Sequence, residues 1–312
     1  MAPEIIGLGA SCVDELALIP HLPKLDQGCP MLAYDRQGGG PVATAMVAVS
    51  RLGGSAGYIG IADSGARGRF IQAEFEKYGV DTSRMKIDPD AISPFSFVLI
   101  DRDTGSRSII FNSGRLPELS LDDEDKEYIS QAKVLHLDGA YAPAAIEAAK
   151  FAREHEIKVT IDVSGVGPYT EQLIRNVDVV VAAKPFPERF TGEAELTRAA
   201  RQIMDYGPEI VVVTLGEKGA FCVTHNDSFY TPGFVLPVVD TTGAGDVFHG
   251  AFAFGLAREW DLRRIIEWSN AVAALKCRKL GGRAGIPTFS EAEAFLMSSP
   301  ARSHWDAWVG SL

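Results

Sequence analysis

The sequence predicts an α/β architecture: a largely parallel sheet with helices between its strands, joined by a small antiparallel layer. Two observations carry this. Short runs rich in Val and Ile alternate with helix-length segments along most of the 312 residues, the pattern of crossover units that bury a parallel sheet. In two places the alternation stops and strand-like runs follow one another with no helix between them. Parallel neighbours need a long crossover, so those runs are expected in an antiparallel layer.

In chain order, Glu4 to Gly9, Ala56 to Ile61, Lys133 to Leu137, Lys158 to Asp162, Val177 to Ala182 and Ile210 to Thr214 read as buried strands. Each is short, apolar and bounded by polar residues or Gly. Ala144 to His155 and Leu196 to Tyr206 are helical stretches between them. The runs without helices lie at about 12–20, 31–37, 95–101 and 106–113, the last two joined by Arg102-Asp103-Thr104-Gly105, a hairpin-turn composition. They form the expected inserted layer, able to cover a cleft. Ala244 to Glu259, Leu262 to Lys279 and Ser290 to Met297 carry apolar residues at helical spacing and close the structure after the sheet is complete. No repeat or low-complexity linker interrupts the chain, so residues 1–312 read as one domain with an inserted layer.

Composition excludes several classes. Lys plus Arg number 30 against 41 Asp plus Glu, a net charge of −11, whereas a nucleic-acid binder needs a basic face. The longest uncharged stretch, between Arg36 and Arg51, is broken by three glycines and a proline and is too short to span a bilayer. Met1 to Ile6 has no basic residue, unlike a signal peptide. Cys12, Cys29, Cys222 and Cys277 are scattered without metal-ligand spacing. A cytoplasmic protein with no membrane or nucleic-acid partner is the expectation.

The most informative segment is Val238-Val239-Asp240-Thr241-Thr242-Gly243-Ala244-Gly245-Asp246. A strand-like run ends in a polar turn with two glycines, and an apolar helix follows. The glycines allow a sharp turn and close approach of a ligand. The N–H groups of Thr242 to Gly245 then point outward at the positive end of the helix, where anions bind. An acid in that first turn repels a bound phosphate unless its task is to take a proton from an attacking hydroxyl. Phosphoryl transfer to an alcohol is therefore expected, with Asp246 as base; stabilisation of the helix N-terminus alone is the plainer role for such an acid.

Asp240 to Asp246 resembles the C-terminal signature of the ribokinase-like (PfkB-type) carbohydrate kinases. Gly38-Gly39-Gly40-Pro41-Val42-Ala43-Thr44-Ala45 with Arg51-Leu52-Gly53 resembles the N-terminal signature, and Thr214-Leu215-Gly216-Glu217-Lys218-Gly219-Ala220 a third element. The order fits from about Ile5 to Pro287. Within the family, Gly38 to Ala45 and Asn270 to Pro287, with Lys276-Cys277 and Gly281-Gly282-Arg283-Ala284-Gly285, look most like the sulfofructose kinase branch.

The resemblance implies a three-layer α/β/α fold and a lid, with ATP and Mg²⁺ as cofactors and a sugar as substrate. It implies Asp246 as general base, with the amides of Gly243, Ala244 and Gly245 stabilising the moving phosphoryl group. Asp14, Gly39, Gly40, Thr44 and Asn112 fall at sugar-binding positions, Thr44 standing where the family usually has Asn. For Asp14 and Asn112, turn or edge-strand polarity is an equal reading. Thr214, Gly216, Gly219, Asn270 and Gly282 fall around the nucleotide. Asp240 and the Thr242 carbonyl match a monovalent-cation site, usually potassium. The family's Asn-x-x-Glu element is altered to Ala183-Lys184-Pro185-Phe186-Pro187-Glu188; Glu188 would hold Mg²⁺ through water, and Lys184 would offset phosphate charge. Lid strands in this family often pair between chains, implying a homodimer.

Two other readings compete. Ile5 to Cys12 begins as a dinucleotide fingerprint, but Cys12 replaces its third glycine and a strand follows where a helix is required. A non-catalytic sugar- or nucleotide-binding protein could keep the fold, yet pure binding has no need of Asp246. A nucleoside kinase of the same family is also open, as are fructose, sulfofructose, ribose and keto-deoxy sugar acids. Arg36, Arg107 and Arg115 lie on or near the lid segments, where solvent-facing positions are expected.

Overall fold

The computed structural model describes residues 2–298 and 300–302. Its strands are β1 (Ile5–Leu8), β2 (Cys12–Ile19), β3 (Ala33–Gly39), β4 (Ala56–Asp63), β5 (Met85–Asp88), β6 (Phe95–Asp101), β7 (Arg107–Asn112), β8 (Val134–Leu137), β9 (Lys158–Val163), β10 (Val179–Ala183), β11 (Ile210–Thr214), β12 (Gly219–Thr224) and β13 (Ser228–Pro232). Nine of them form one sheet in the order β13-β12-β11-β10-β9-β8-β1-β4-β5. It is parallel from β11 through β5, and antiparallel where β12 and β13 fold back at one edge.

Helices cover both faces. The inner strands are apolar along their whole length, as with Val179–Ala183 and Ile210–Thr214, so each sheet face needs an apolar cover. On one face, the helices Ala142–Glu154 and Leu196–Met204 pack Ala145, Ala149, Ala200 and Ile203 against Leu135, Ile161 and Val180. On the other, the helices Pro41–Arg51, Ala244–Ala257 and Leu262–Lys276 contribute Met46, Val47, Ala251, Phe254 and Trp268. Gly250 lets two of these helices touch: a Cβ there would meet the Ala45 carbonyl oxygen.

The remaining strands form a second sheet, β3-β2-β6-β7. Each expected pair is antiparallel, β2 with β3 and β6 with β7, and the two pairs join through a parallel β2–β6 register. The long chain between β3 and β6, which contributes two helices and two strands elsewhere, permits that parallel neighbour. Leu16, Val98 and Ile100 form a buried apolar cluster of its own, while Tyr34, Phe97, Ile110 and Phe111 stay exposed at 60%, 49%, 62% and 72%.

Three strands escape the sequence reading, and a fourth is longer than expected. β5 is four residues with Lys86 and Asp88 inside it. β12 and β13 extend the sheet beyond its expected end, β13 being Ser-Phe-Tyr-Thr-Pro with no clean alternation. β3 runs on to Gly39, since Gly38 and Gly39 keep pairing with Val13 and Cys12; their low strand propensity is overridden by β2 and by what lies against them.

Candidate active site

Strand order diverges at the centre of the large sheet: from β1 it runs one way through β4 and β5, and from β8 the other way through β9 to β11. Loops leaving such a switch point part and leave a crevice beyond the C-terminal strand ends. Asp138, after β8, stitches that crevice. Its carboxylate accepts the N–H groups of Ala10 (2.8 Å), Val42 (3.3 Å) and Ala140 (2.9 Å). Two cavities open there. One of about 320 Å³ is lined by Asp138, Asp162, Ser164 and Thr170 among others. The other, about 420 Å³, lies between the crevice and the second sheet, against Ser11, Gly40, Phe95, Ile109, Asn112 and Tyr141.

The Asp240–Asp246 turn faces the same region. Gly243 precedes the Ala244–Ala257 helix with φ 72°, and no side chain caps that helix. A side chain at Gly243 would be strained by that φ, and its Cβ would lie 2.8 Å from Gly282 Cα. Asp240 is fully buried: its Oδ1 accepts Thr242 N (2.8 Å) and Oγ1 (2.7 Å), and its Oδ2 accepts Gly281 N (2.7 Å). The turn is thereby fixed before any ligand arrives. Gly243 and Gly245 N–H have no acceptor among the described residues, and open space lies before Gly245. Ala244 differs from expectation: its N–H donates to the Thr241 carbonyl (3.2 Å), closing the turn instead of facing the crevice.

Asp246 sits in the first helical turn, half-buried. Burial pushes its carboxyl up to about 6, with Asp14 and Asp138 adding to the rise and Arg107 opposing it. Below it, His249 Nε2 lies 3.3 Å from Asp162 Oδ1. Burial lowers the pKa of His249 and raises that of Asp162.

On the opposite wall, Asp14 on β2 is buried, and burial raises its pKa. A Cβ on Gly39 would land on the Asp14 carboxylate, and Gly40 opens the next helix at φ 97°. Thr44 is 1% exposed, packed within the Pro41–Arg51 helix near Gly282. Asn112, exposed at the end of β7, lines the larger cavity while its Oδ1 accepts Gly114 N (2.8 Å).

The residues expected around a nucleotide divide. Thr214 ends β11, and Gly216 follows at φ 63° with open space around it. Gly219 does not join them: a Cβ there would strike the Thr231 carbonyl, so this glycine serves the close β12–β13 approach. Asn270 is buried, and its Nδ2 donates to the carbonyls of Thr231 (3.2 Å) and Pro232 (3.3 Å). Gly282 lies against Gly243 and Thr44, behind the Asp240–Asp246 turn. Lys184 and Glu188 are exposed after β10, Glu188 in the first turn of the Pro185–Thr191 helix.

Five participants were not singled out as site residues. Arg107, exposed as expected, also donates from Nη1 to Thr241 Oγ1 (3.1 Å), whereas Arg36 pairs with Glu15 (3.1 Å) and Arg115 with the Asp90 carbonyl (3.1 Å). The same threonine bonds the β6–β7 hairpin: Thr241 N and Oγ1 both donate to the Gly105 carbonyl, at 3.3 and 3.2 Å. Lys276, fully buried, donates from Nζ to the Asp240 carbonyl (2.9 Å). Arg283, also buried, reaches the Gly39 carbonyl from Nη2 (3.2 Å). Asp138 and Asp162 complete the carboxylates near Asp246. Adjacency to a signature marks Lys276 and Arg283; nothing local marks Arg107.

A three-layer α/β fold with a carboxylate beside an open helix N-terminus, under a second sheet, has the layout of a phosphotransferase. The chain belongs to the pfkB family of carbohydrate kinases, whose model matches residues 30–289. It is 27% identical to the ribokinase of Haemophilus influenzae (95% of this chain, 99% of that one) and 28% identical to the 5-dehydro-2-deoxygluconokinase of Geobacillus kaustophilus (94% and 93%). Arabidopsis thaliana ribokinase, solved with ribose and ATP, has a TM-score of 0.83 at 24% identity, covering 95% of this chain and 99% of that one. The protein is thus a sugar kinase that phosphorylates an alcohol group. No helix among the described residues is long and apolar enough to cross a membrane.

Proposed function

We propose that this kinase moves the γ-phosphoryl group of ATP to a primary hydroxyl of a small, uncharged sugar, with Asp246 as general base. Asp246 carries the reading: a carboxyl raised to about 6 beside the unpartnered amides of Gly243 and Gly245. At neutral pH it is ionised yet basic enough to accept the hydroxyl proton. The sugar oxygen bonds the γ-phosphorus as the bond to the β-phosphate oxygen breaks, ADP departs, and the proton stays on Asp246. The free amides and Arg107 face the charge gathered on the moving group. Mg²⁺, bound with ATP, would neutralise phosphate charge. Glu188 suits a metal that keeps its waters, being exposed with an unobstructed carboxylate. Lys184 and Gly216 would contact the nucleotide, and Asn112, Asp14 and Gly40 the sugar.

An uncharged acceptor is favoured over the sulfonated one of the branch this chain resembles. Among the described residues lining the 420 Å³ cavity none is Lys or Arg, while Phe95, Ile109, Phe111 and Tyr141 present apolar faces. A monovalent cation fits poorly at Asp240. Its carboxylate already receives three donors, and the Lys276 ammonium lies on its carbonyl. We derive no step through potassium; Lys276 supplies a fixed positive charge there.

The chain acts as one catalytic unit with the second sheet as lid. Its exposed Tyr34, Phe97 and Ile110 form the surface on which a second copy would pair in a cytoplasmic homodimer. Sedimentation at micromolar concentration tests that pairing, and a monomer there rejects it. ADP release measured across ketoses, aldoses, sugar acids, nucleosides and sulfonated sugars tests the acceptor. Uncharged sugars are expected to give the highest kcat/KM; turnover confined to a sulfonated sugar overturns the assignment.

A further inference from the structure

Gly38 and Gly39 lack side chains for a reason visible on both sides of β3. A Cβ on Gly38 would land on the Arg283 guanidinium, and a Cβ on Gly39 on the Asp14 carboxylate. A buried cation and a buried anion therefore press on consecutive residues of one strand, in space that only glycine leaves. The Arg283 side chain is fully buried, and its charge is poorly compensated. Nη2 donates to the Gly39 carbonyl (3.2 Å), Nη1 lies 3.9 Å from Glu74 Oε2, and Nε and Nη1 have no hydrogen-bond partner. Glu74 Oε2 in turn accepts Gly38 N (3.1 Å). A guanidinium buried with two nitrogens unsatisfied is costly, and a hydrophobic side chain would fill the volume more cheaply.

The loop that carries Arg283 is tied at both ends. Gly281 N donates to Asp240 Oδ2 (2.7 Å), on the anion turn. Gln37 Oε1 accepts the N–H groups of Arg283 (2.9 Å) and Ala284 (3.2 Å), while Gln37 Nε2 donates to the Leu280 carbonyl (3.0 Å). One short loop thus bridges the Asp240–Asp246 turn and the Gly38–Gly40 strand end.

We propose that Arg283 is the positioning residue for the sugar acceptor, fixing the Gly38–Gly40 strand end and Asp14 at a set distance from the turn that carries Asp246. The inference rests on the sugar-kinase reading of Asp14 and Gly40. Arg283 touches neither substrate and works through the Gly39 carbonyl and the charge opposite Asp14.

The test compares wild type with Arg283→Met, Arg283→Lys, Gly38→Ala and the Gly38→Ala/Arg283→Met double variant, using D-ribose and D-fructose as acceptors. Arg283→Met is expected to raise sugar KM roughly 10- to 100-fold while calorimetric Mg-ATP affinity stays within about two-fold, because a charge-assisted bond is lost on the acceptor side alone. Arg283→Lys should recover part of that loss, since it keeps the charge without the fork. Gly38→Ala should reproduce the defect by displacing the guanidinium and add nothing once Arg283 is Met. Hydrogen exchange of the Gly38–Thr44 amides, read without any sugar, should quicken in Arg283→Met. It stays informative if neither sugar is a substrate, which would count against the acceptor reading alone. Unchanged exchange in that segment, additive Gly38 and Arg283 effects, or equal losses of ATP and sugar affinity would each overturn the proposal.

Discussion

The two walls of the crevice are built in opposite ways. The donor wall is seven consecutive residues, Asp240 to Asp246, which turn, bond themselves and open a helix. The acceptor wall is collected from β2, the end of β3, the tip of β7 and a loop more than 240 residues further along from Gln37. Chemistry that must hold still for every substrate is local and self-bonded. On the proposed reading, recognition of a particular sugar is spread over segments that can vary separately.

Breaking the donor wall should cost most. Asp246→Asn is expected to lower kcat by roughly 10²–10⁴ with Mg-ATP binding retained. Its melting temperature should rise, because ionising a buried carboxyl burdens the native state. The sign follows from the raised pKa. The folded value of about 6 lies above the ordinary carboxylate value, so this group's penalty is present above pH 6 and fades as pH falls through that value. A melting temperature that drops instead would place Asp246 among favourable native contacts and undo this reading.

Gly243→Ala comes next. The positive φ and the 2.8 Å approach to Gly282 predict a loss of about 1–3 kcal/mol in stability, measurable by urea unfolding, together with reduced turnover. An acceptor-wall change such as Asn112→Ala should instead raise sugar KM and leave stability unaltered.

The pH dependence sharpens the contrast further. Below about pH 6, kcat should fall about tenfold per pH unit as Asp246 takes up its proton; an acid limb near pH 4 would show that its carboxyl is not raised in the working enzyme. Smaller still, replacing sodium by potassium in the assay should change turnover by less than about two-fold, since Lys276 already places a cation at Asp240. Strong potassium activation would return the ion to that site.

The sequence revealed the donor wall because its parts are neighbours: glycines, acid and helix start stand in one string. The layered fold was legible for the same reason, strand by strand, from Val-Ile runs. β13 and β5 were not, because they are short edge strands without clean alternation, and their pairing is decided by β12 and β4. Gly219 looks like a ligand glycine in the string, but a neighbouring main chain fills the space it leaves, while Gly282 stands behind Gly243. Arg107 carries no local mark at all. Its role depends on where the β6–β7 hairpin comes to rest, which only the assembled fold decides.

That resting place has a kinetic consequence. The hairpin tip is fastened to the Asp240 turn by one carbonyl shared between two donors and by one arginine N–H. Three such bonds, each worth about 0.5–1.5 kcal/mol net, make a latch that thermal motion opens readily, within the microsecond-to-millisecond range of loop gates. With the second sheet as the proposed lid, product escape through it then need not limit the cycle.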